Sequence, residues 1–219
     1  MGNDNLFIFI IEMLGTVAFA ISGIRLAAAK RVDWFGAYVV GLVTAIGGGT
    51  VRDILLDIPV FWMQSVSFVA VTFISLVVVI VFRKVLVRGM RTVFIFDAIG
   101  LALFVVVGVE KTLAEGYPMW VAVVMGIITG SFGGVARDIL INDEPLFFRK
   151  DIYATACLAG GVVYWLTSLS ALPVVVPQIA CAVTVIGLRV AAVHWNWSLP
   201  ILQIDESDLP ADTRRKHKK

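Results

Sequence analysis

Long apolar runs separated by short polar clusters dominate the chain. A helix needs about 20 apolar residues to cross the hydrocarbon core of a bilayer. On that rule the pattern predicts seven spans, at about 6–29, 34–56, 61–82, 92–113, 118–141, 151–169 and 172–193. The connections are short, so residues 1–197 read as one membrane domain and 198–219 as a polar, basic tail. Composition agrees. Of 219 residues 59% are hydrophobic and 16% charged, which excludes a soluble globular domain. The predicted class is an all-α, multi-pass integral membrane protein embedded in lipid.

The first run has Asp4 and no basic residue ahead of it, and Glu12 interrupts its apolar stretch. Neither suits a cleaved signal peptide, so a retained helix is expected.

Charge then sets the topology. Lys30 and Arg31, then Arg83, Lys84, Arg88 and Arg91, then Arg149 and Lys150, and finally the tail from Arg214 to Lys219, all fall on one side of a seven-span layout. The other side has Lys111 in one loop. The positive-inside rule places the N-terminus outside and the C-terminus in the cytoplasm. The tryptophans at 34, 62, 120, 165, 195 and 197 lie near span ends, as an interfacial belt requires. A net charge of +2 gives no reason to expect nucleic acid as a partner. Cys157 and Cys181 sit inside apolar runs and read as small buried hydrophobes. His194 and His217 have no ligand-like spacing, so neither a metal site nor another cofactor is expected.

Sliding the chain against itself by 85 residues aligns two halves without a gap. Eight of fifteen positions are identical between Gly41–Leu55 and Gly126–Leu140, including Thr44/Thr129, Gly48/Gly133, Gly49/Gly134, Arg52/Arg137 and Asp53/Asp138. Upstream, Glu12/Asp97, Gly15/Gly100 and Phe19/Phe104 keep the register. Each copy, about 6–82 and 92–169, holds three spans. An odd number inverts the second copy relative to the first, giving a 3+3 inverted repeat plus a seventh helix at about 172–193. Such repeats place the functional site near the midplane between the copies.

The repeated motif holds the candidate chemistry. Gly47, Gly48 and Gly49 lie roughly 20 Å into the second span at about 1.5 Å per residue. They admit two readings: close helix packing, or a kink or break that exposes carbonyls to a passing ion. Phe132 replaces Gly47 in the second copy, which predicts unequal kinks and a bulky ring beside the path. Arg52, Asp53, Arg137 and Asp138 are charges within apolar runs, where they are costly and mark a pathway. Glu12 and Arg52 fall at one depth and Asp97 and Arg137 at another, which predicts two ion pairs across helices. Thr44, Thr129 and Ser131 are the neutral oxygen donors nearest the glycines, able to replace an ion's hydration shell or to bond back to their own helix. No Ser-His-Asp set, His/Cys cluster or phosphate-binding loop is present, so the chain reads as a non-enzyme.

Gly-Gly-Gly-x-x-Arg-Asp in the second span and Gly-Gly-x-x-Arg-Asp in the fifth resemble the prokaryotic branch of the TRIC (trimeric intracellular cation) channel family, also catalogued as putative glycine transporters. The resemblance covers about residues 6–195. It implies a homotrimer with one pore per protomer, permeable to K⁺ and other monovalent cations. In that family the glycine-kinked second and fifth helices bound the pore. This corresponds here to Gly47–Gly49, Arg52 and Asp53, and to Gly133, Gly134, Arg137 and Asp138. A secondary transporter of glycine or another small amino acid is the alternative, because inverted repeats and broken helices serve both classes.

Overall fold

The apolar runs fold into helices in a computed structural model that describes residues 3–83, 90–148, 152–170 and 172–200. The expected basic residues Lys84, Arg88, Arg149 and Lys150, and the tail beyond residue 200, lie outside the described residues. Among the described residues, seven helices of 15 residues or more follow in order: α1 (Asn3–Ala29), α2 (Trp34–Leu55), α3 (Ser67–Val81), α4 (Met90–Ala114), α5 (Met119–Leu140), α6 (Ala154–Ser168) and α7 (Val175–His194). The fold is all-helical, a 3+3 inverted repeat with α7 added.

The repeat is visible in the punctuation of the helices. Asp33 caps α2, its side chain accepting from the Gly36 N–H at 2.7 Å. The turns into α2 and α5 pass through left-handed residues at equivalent positions, Arg31 (φ 60°) and Gly116 (φ 81°). Both helices also end alike. Asp57 and Asn142 each take φ 55°, a conformation that their short polar side chains tolerate. The Ile58 N–H then reaches the Asp53 carbonyl at 3.0 Å, and the Asp143 N–H reaches the Asp138 carbonyl at 2.8 Å, the closing bonds of a Schellman motif.

Helices α1, α2, α4 and α5 pack most extensively and form the centre. The repeat-related Phe19 and Phe104 stack on each other there, centroids 5.4 Å apart, each against the glycine (Gly100 or Gly15) that leaves room for it. Helix α3 covers α1 and α2, α6 covers α5 and α4, and α7 lies against α6 and α4.

Two expected spans are shorter than the sequence pattern suggested. Among the described residues five helices are long and apolar enough to cross a membrane, whereas α3 and α6 have 15 residues each, about 22 Å at 1.5 Å per residue. The missing length goes into the connections. Residues 61–63 form a 3₁₀ turn, Phe61–Met63, and α6 starts at Ala154. These connections are held down by the preceding helix: the Phe61 N–H donates to Asp53 Oδ2 at 2.8 Å, and the Leu146 N–H to Asp138 Oδ2 at 3.0 Å. In each repeat, therefore, the motif aspartate fixes the chain that leads into the short helix.

Candidate functional site

The glycine runs do not break their helices. Both α2 and α5 are continuous through Gly47–Gly49 and Gly133–Gly134, so the break expected from the glycine run is absent. What the glycines provide is close approach. A Cβ on Gly48 would strike the Thr129 carbonyl oxygen, and one on Gly133 the Thr44 carbonyl oxygen. A Cβ on Gly47 would sit 3.6 Å from Gly133 Cα. The two helices thus touch backbone to backbone at symmetry-related points, the packing that small residues allow in membranes. Gly49 makes room for the Phe61 ring and Gly134 for the Tyr153 hydroxyl. Phe132, which stands where the first copy has Gly47, is 41% exposed.

The hydroxyls turn back to their own helices. Thr44 donates to the Val40 carbonyl, Thr129 to Met125 and Ser131 to Ile127, each at 2.6 Å, and all three are buried. A buried hydroxyl needs a partner, and the carbonyl four residues back is the nearest.

One turn beyond the glycines on each helix lies a buried charge cluster. In the first, Arg52 Nε donates to Asp53 Oδ1 at 2.7 Å, and Nη2 lies 3.3 Å from Glu12 Oε1. In the second, Arg137 Nε donates to Asp138 Oδ1 at 2.8 Å, and Nη1 to Asp97 Oδ1 at 2.5 Å and to Ser22 Oγ at 3.1 Å. Both ion pairs across helices expected from depth are formed. Each arginine is essentially unexposed. A guanidinium so buried persists because its fork is matched by carboxylates.

Sequence reasoning missed a second cation in each cluster. Lys111, expected in a loop, lies in α4, where Nζ donates to Glu12 Oε1 and Oε2 at 2.8 and 2.9 Å. Arg189 on α7 lies 3.8 Å from Asp97 Oδ2 and donates to the Ile152 carbonyl at 3.1 Å. Its guanidinium lies over the rings of Phe94 and Tyr153, 5.1 and 4.9 Å from their centroids. Lys111 and Arg52 both lie over Phe61. Each cluster therefore holds two carboxylates against two cations and is neutral overall. The signal was available for Arg189, a cation within an apolar span. What it paired with was not legible, because α7 lies outside the repeat.

The two clusters lie at opposite ends of α4, Asp97 and Lys111 being about 21 Å apart along the helix at 1.5 Å per residue. Each faces its own cavity. One of about 270 Å³ is lined by Asp53, Phe61, Gln64, Lys111 and Glu115. The other, about 520 Å³, is lined by Asp97, Arg137, Asp138, Asp143, Arg189 and Trp197. The α2–α5 glycine contact lies between the two clusters.

These features define a multi-pass helical membrane protein built from two inverted repeats, each centred on a buried Arg-Asp motif. A family model described as glycine transporter matches the chain twice, over residues 9–84 and 94–168. The UPF0126 inner membrane protein YadS of Escherichia coli (strain K12) is 39% identical across 91% of this chain and 98% of its own length. A UPF0126 membrane protein of Vibrio cholerae is 36% identical across 90% of this chain and 83% of its own. Among solved structures, the TRIC trimeric intracellular cation channel orthologue from Rhodobacter sphaeroides is similar with TM-score 0.82 and 31% identity, covering 87% of this chain and 98% of that one. A second TRIC cation channel structure has TM-score 0.80 and 32% identity, covering 94% and 99%. The chain belongs to this family, the prokaryotic TRIC-type membrane proteins whose sequence model carries the glycine transporter description.

Proposed function

We propose that the protein is a K⁺-permeable monovalent cation channel with one pore in each protomer of a homotrimer. One observation carries the reading: cavities from opposite ends of the molecule each reach a motif aspartate, and the α2–α5 glycine contact separates them. The pore runs along that contact, bounded by Gly47, Gly48 and Gly49 with Thr44 on one side, and by Gly133 and Gly134 with Thr129 and Ser131 on the other. The contact as described is shut, so conduction requires α2 and α5 to part. Parting them bares hydroxyl and carbonyl oxygens of the kind that replace a cation's hydration shell. Asp53 and Asp138 attract the ion at the two mouths, while Arg52 and Arg137, held by Glu12 and Asp97, fix the aspartates. The similarity to solved TRIC cation channels supports both the permeant ion class and the trimer.

The basic clusters put the N-terminus outside and the C-terminus in the cytoplasm of the plasma membrane. In that orientation the larger cavity opens inward. The two repeats and α7 act as one domain, with the basic tail inside.

A shut contact between two cavities also suits an alternating-access carrier, and the glycine transporter description favours that reading. The deciding experiment uses purified protein in planar bilayers with a K⁺ gradient, glycine being added afterwards. Discrete current steps that reverse near the K⁺ equilibrium potential are expected. Electrical silence together with saturable glycine uptake in liposomes would replace the channel with a carrier.

A further inference from the structure

Arg189 is held less tightly than the cations it resembles. Arg137 donates to Asp138, Asp97 and Ser22, and Lys111 to both oxygens of Glu12. Among the described residues Arg189 donates only to the Ile152 carbonyl, at 3.1 Å, and its Nε has no partner. Its Nη2 lies 3.8 Å from Asp97 Oδ2, beyond hydrogen-bond reach, and that oxygen accepts nothing else. The guanidinium rests instead on two aromatic faces, those of Phe94 and Tyr153. The first copy is built differently. Phe9 and Phe68 occupy the repeat-related positions and pack edge to face, centroids 6.0 Å apart. Leu26 stands in the second cluster where the first has Lys111, so the second cation of Asp97 has to come from α7.

We propose that Phe94, Tyr153, Asp97 and the Ile152 carbonyl form a cation-binding cage in the wall of the larger cavity, which Arg189 fills as a tethered, displaceable ligand. Two aromatic faces, one carboxylate oxygen and one carbonyl oxygen suit a weakly hydrated, planar cation of the guanidinium class. A calcium-type site needs about six to eight oxygens. Room is available. Phe94, Asp97, Ile152 and Arg189 all line the cavity of about 520 Å³, so a cage vacated by the side chain opens into it. Tyr153 extends the cage to the glycine motif, its hydroxyl lying against Gly134. While Arg189 is in place, Asp97 Oδ2 is covered and offers nothing to an ion. Displacing Arg189 bares that oxygen and takes a positive charge off the cavity wall. Arg189 thereby limits cation flow at this mouth. That consequence rests on the channel reading; the cage itself does not.

The test is thermal unfolding of purified full-length Arg189→Ala in low-millimolar guanidinium chloride against KCl at the same concentration. Guanidinium is expected to raise its melting temperature by about 2–4 °C, as mass action predicts several-fold above the dissociation constant. The parent should not shift, because Arg189 fills the cage. Adding Phe94→Leu to Arg189→Ala should abolish the shift. No guanidinium-specific shift in Arg189→Ala, an equal shift in the parent, or one that survives Phe94→Leu overturns the proposal. If Arg189→Ala folds only when guanidinium is present, the cage is supported. If it folds in neither salt, Arg189 is a fixed structural cation and the proposal falls. Planar bilayers test the consequence: Arg189→Ala should conduct K⁺ about twofold better than the parent and be blocked by guanidinium from the side of the larger cavity. Parent-like currents insensitive to guanidinium would overturn the role at the mouth. Electrical silence from both proteins would count against the channel reading alone, with the thermal shift still deciding the cage.

Discussion

At the first Arg-Asp cluster Glu12 holds two cations, whereas at the second Asp97 holds one well and the other poorly. Glu12 is one methylene longer. It gives both oxygens to Lys111 at 2.8 and 2.9 Å and still lies 3.3 Å from Arg52. Asp97 is bound to Arg137 through Oδ1, while Arg189 stands 3.8 Å from its Oδ2, which accepts no hydrogen bond. The leftover donors mirror this: Arg52 Nη1 in the first cluster and Arg189 Nε in the second. Two copies of one motif have thus been given different fourth partners, one from α4 and one from α7. The lesson is that an internal repeat conserves the pair that must be buried together and leaves its neutralising charge to whatever helix lies nearby.

The largest effect should come from removing an arginine, because that leaves buried carboxylates without their main partner. Arg137→Gln leaves Asp97 and Asp138 facing only the distant Arg189, an expected loss of about 3–5 kcal/mol in thermal unfolding of the purified protein. Arg52→Gln should cost less, since Lys111 stays on Glu12. Equal losses would mean that the fourth cations contribute equally, and the contrast would be gone.

Next comes the contact between the clusters. Gly48→Ala and Gly133→Ala each drive a Cβ into a fixed backbone carbonyl, with an expected cost of about 1–3 kcal/mol. The geometry is symmetric, so the two variants should melt together. A large difference between them would show that the two halves of the contact are not equivalent.

Exchanging the acids sharpens the comparison further. Asp97→Glu should reach Arg189 and stabilise by about 1 kcal/mol, whereas Glu12→Asp should lose Lys111 and destabilise by a similar amount. Unfolding midpoints that move in the same direction for both would refute the methylene argument.

The smallest effect belongs to Lys30, which bonds Asp143 at 2.9 Å at the edge of the larger cavity. It has no ion-paired counterpart at the smaller cavity, where Glu115 and Ile58 occupy the repeat-related positions. Solvent screens this exposed pair, so Lys30→Ala should change stability by less than about 1 kcal/mol. Any change should disappear in high salt, and one that persists there would point to a packing role.

Much of this was legible in the residues. Span length, the 85-residue register and the odd number of helices per copy define the inverted fold, because apolar length and repetition are properties of the chain itself. Glu12–Arg52 and Asp97–Arg137 followed from depth alone, since lone charges do not survive in an apolar interior. Other features needed the packed structure. Three glycines in a row weaken a helix intrinsically, yet α2 stays continuous because the backbone of α5 lies against them. The backbone ahead of α3 and α6 is held by Asp53 and Asp138, a contact eight residues downstream that hydropathy does not register. The partners of Lys111 and Arg189 were likewise decided in three dimensions. Sequence specifies which residues must be buried and neutralised, but which helix delivers the neutralising charge depends on how the helices pack.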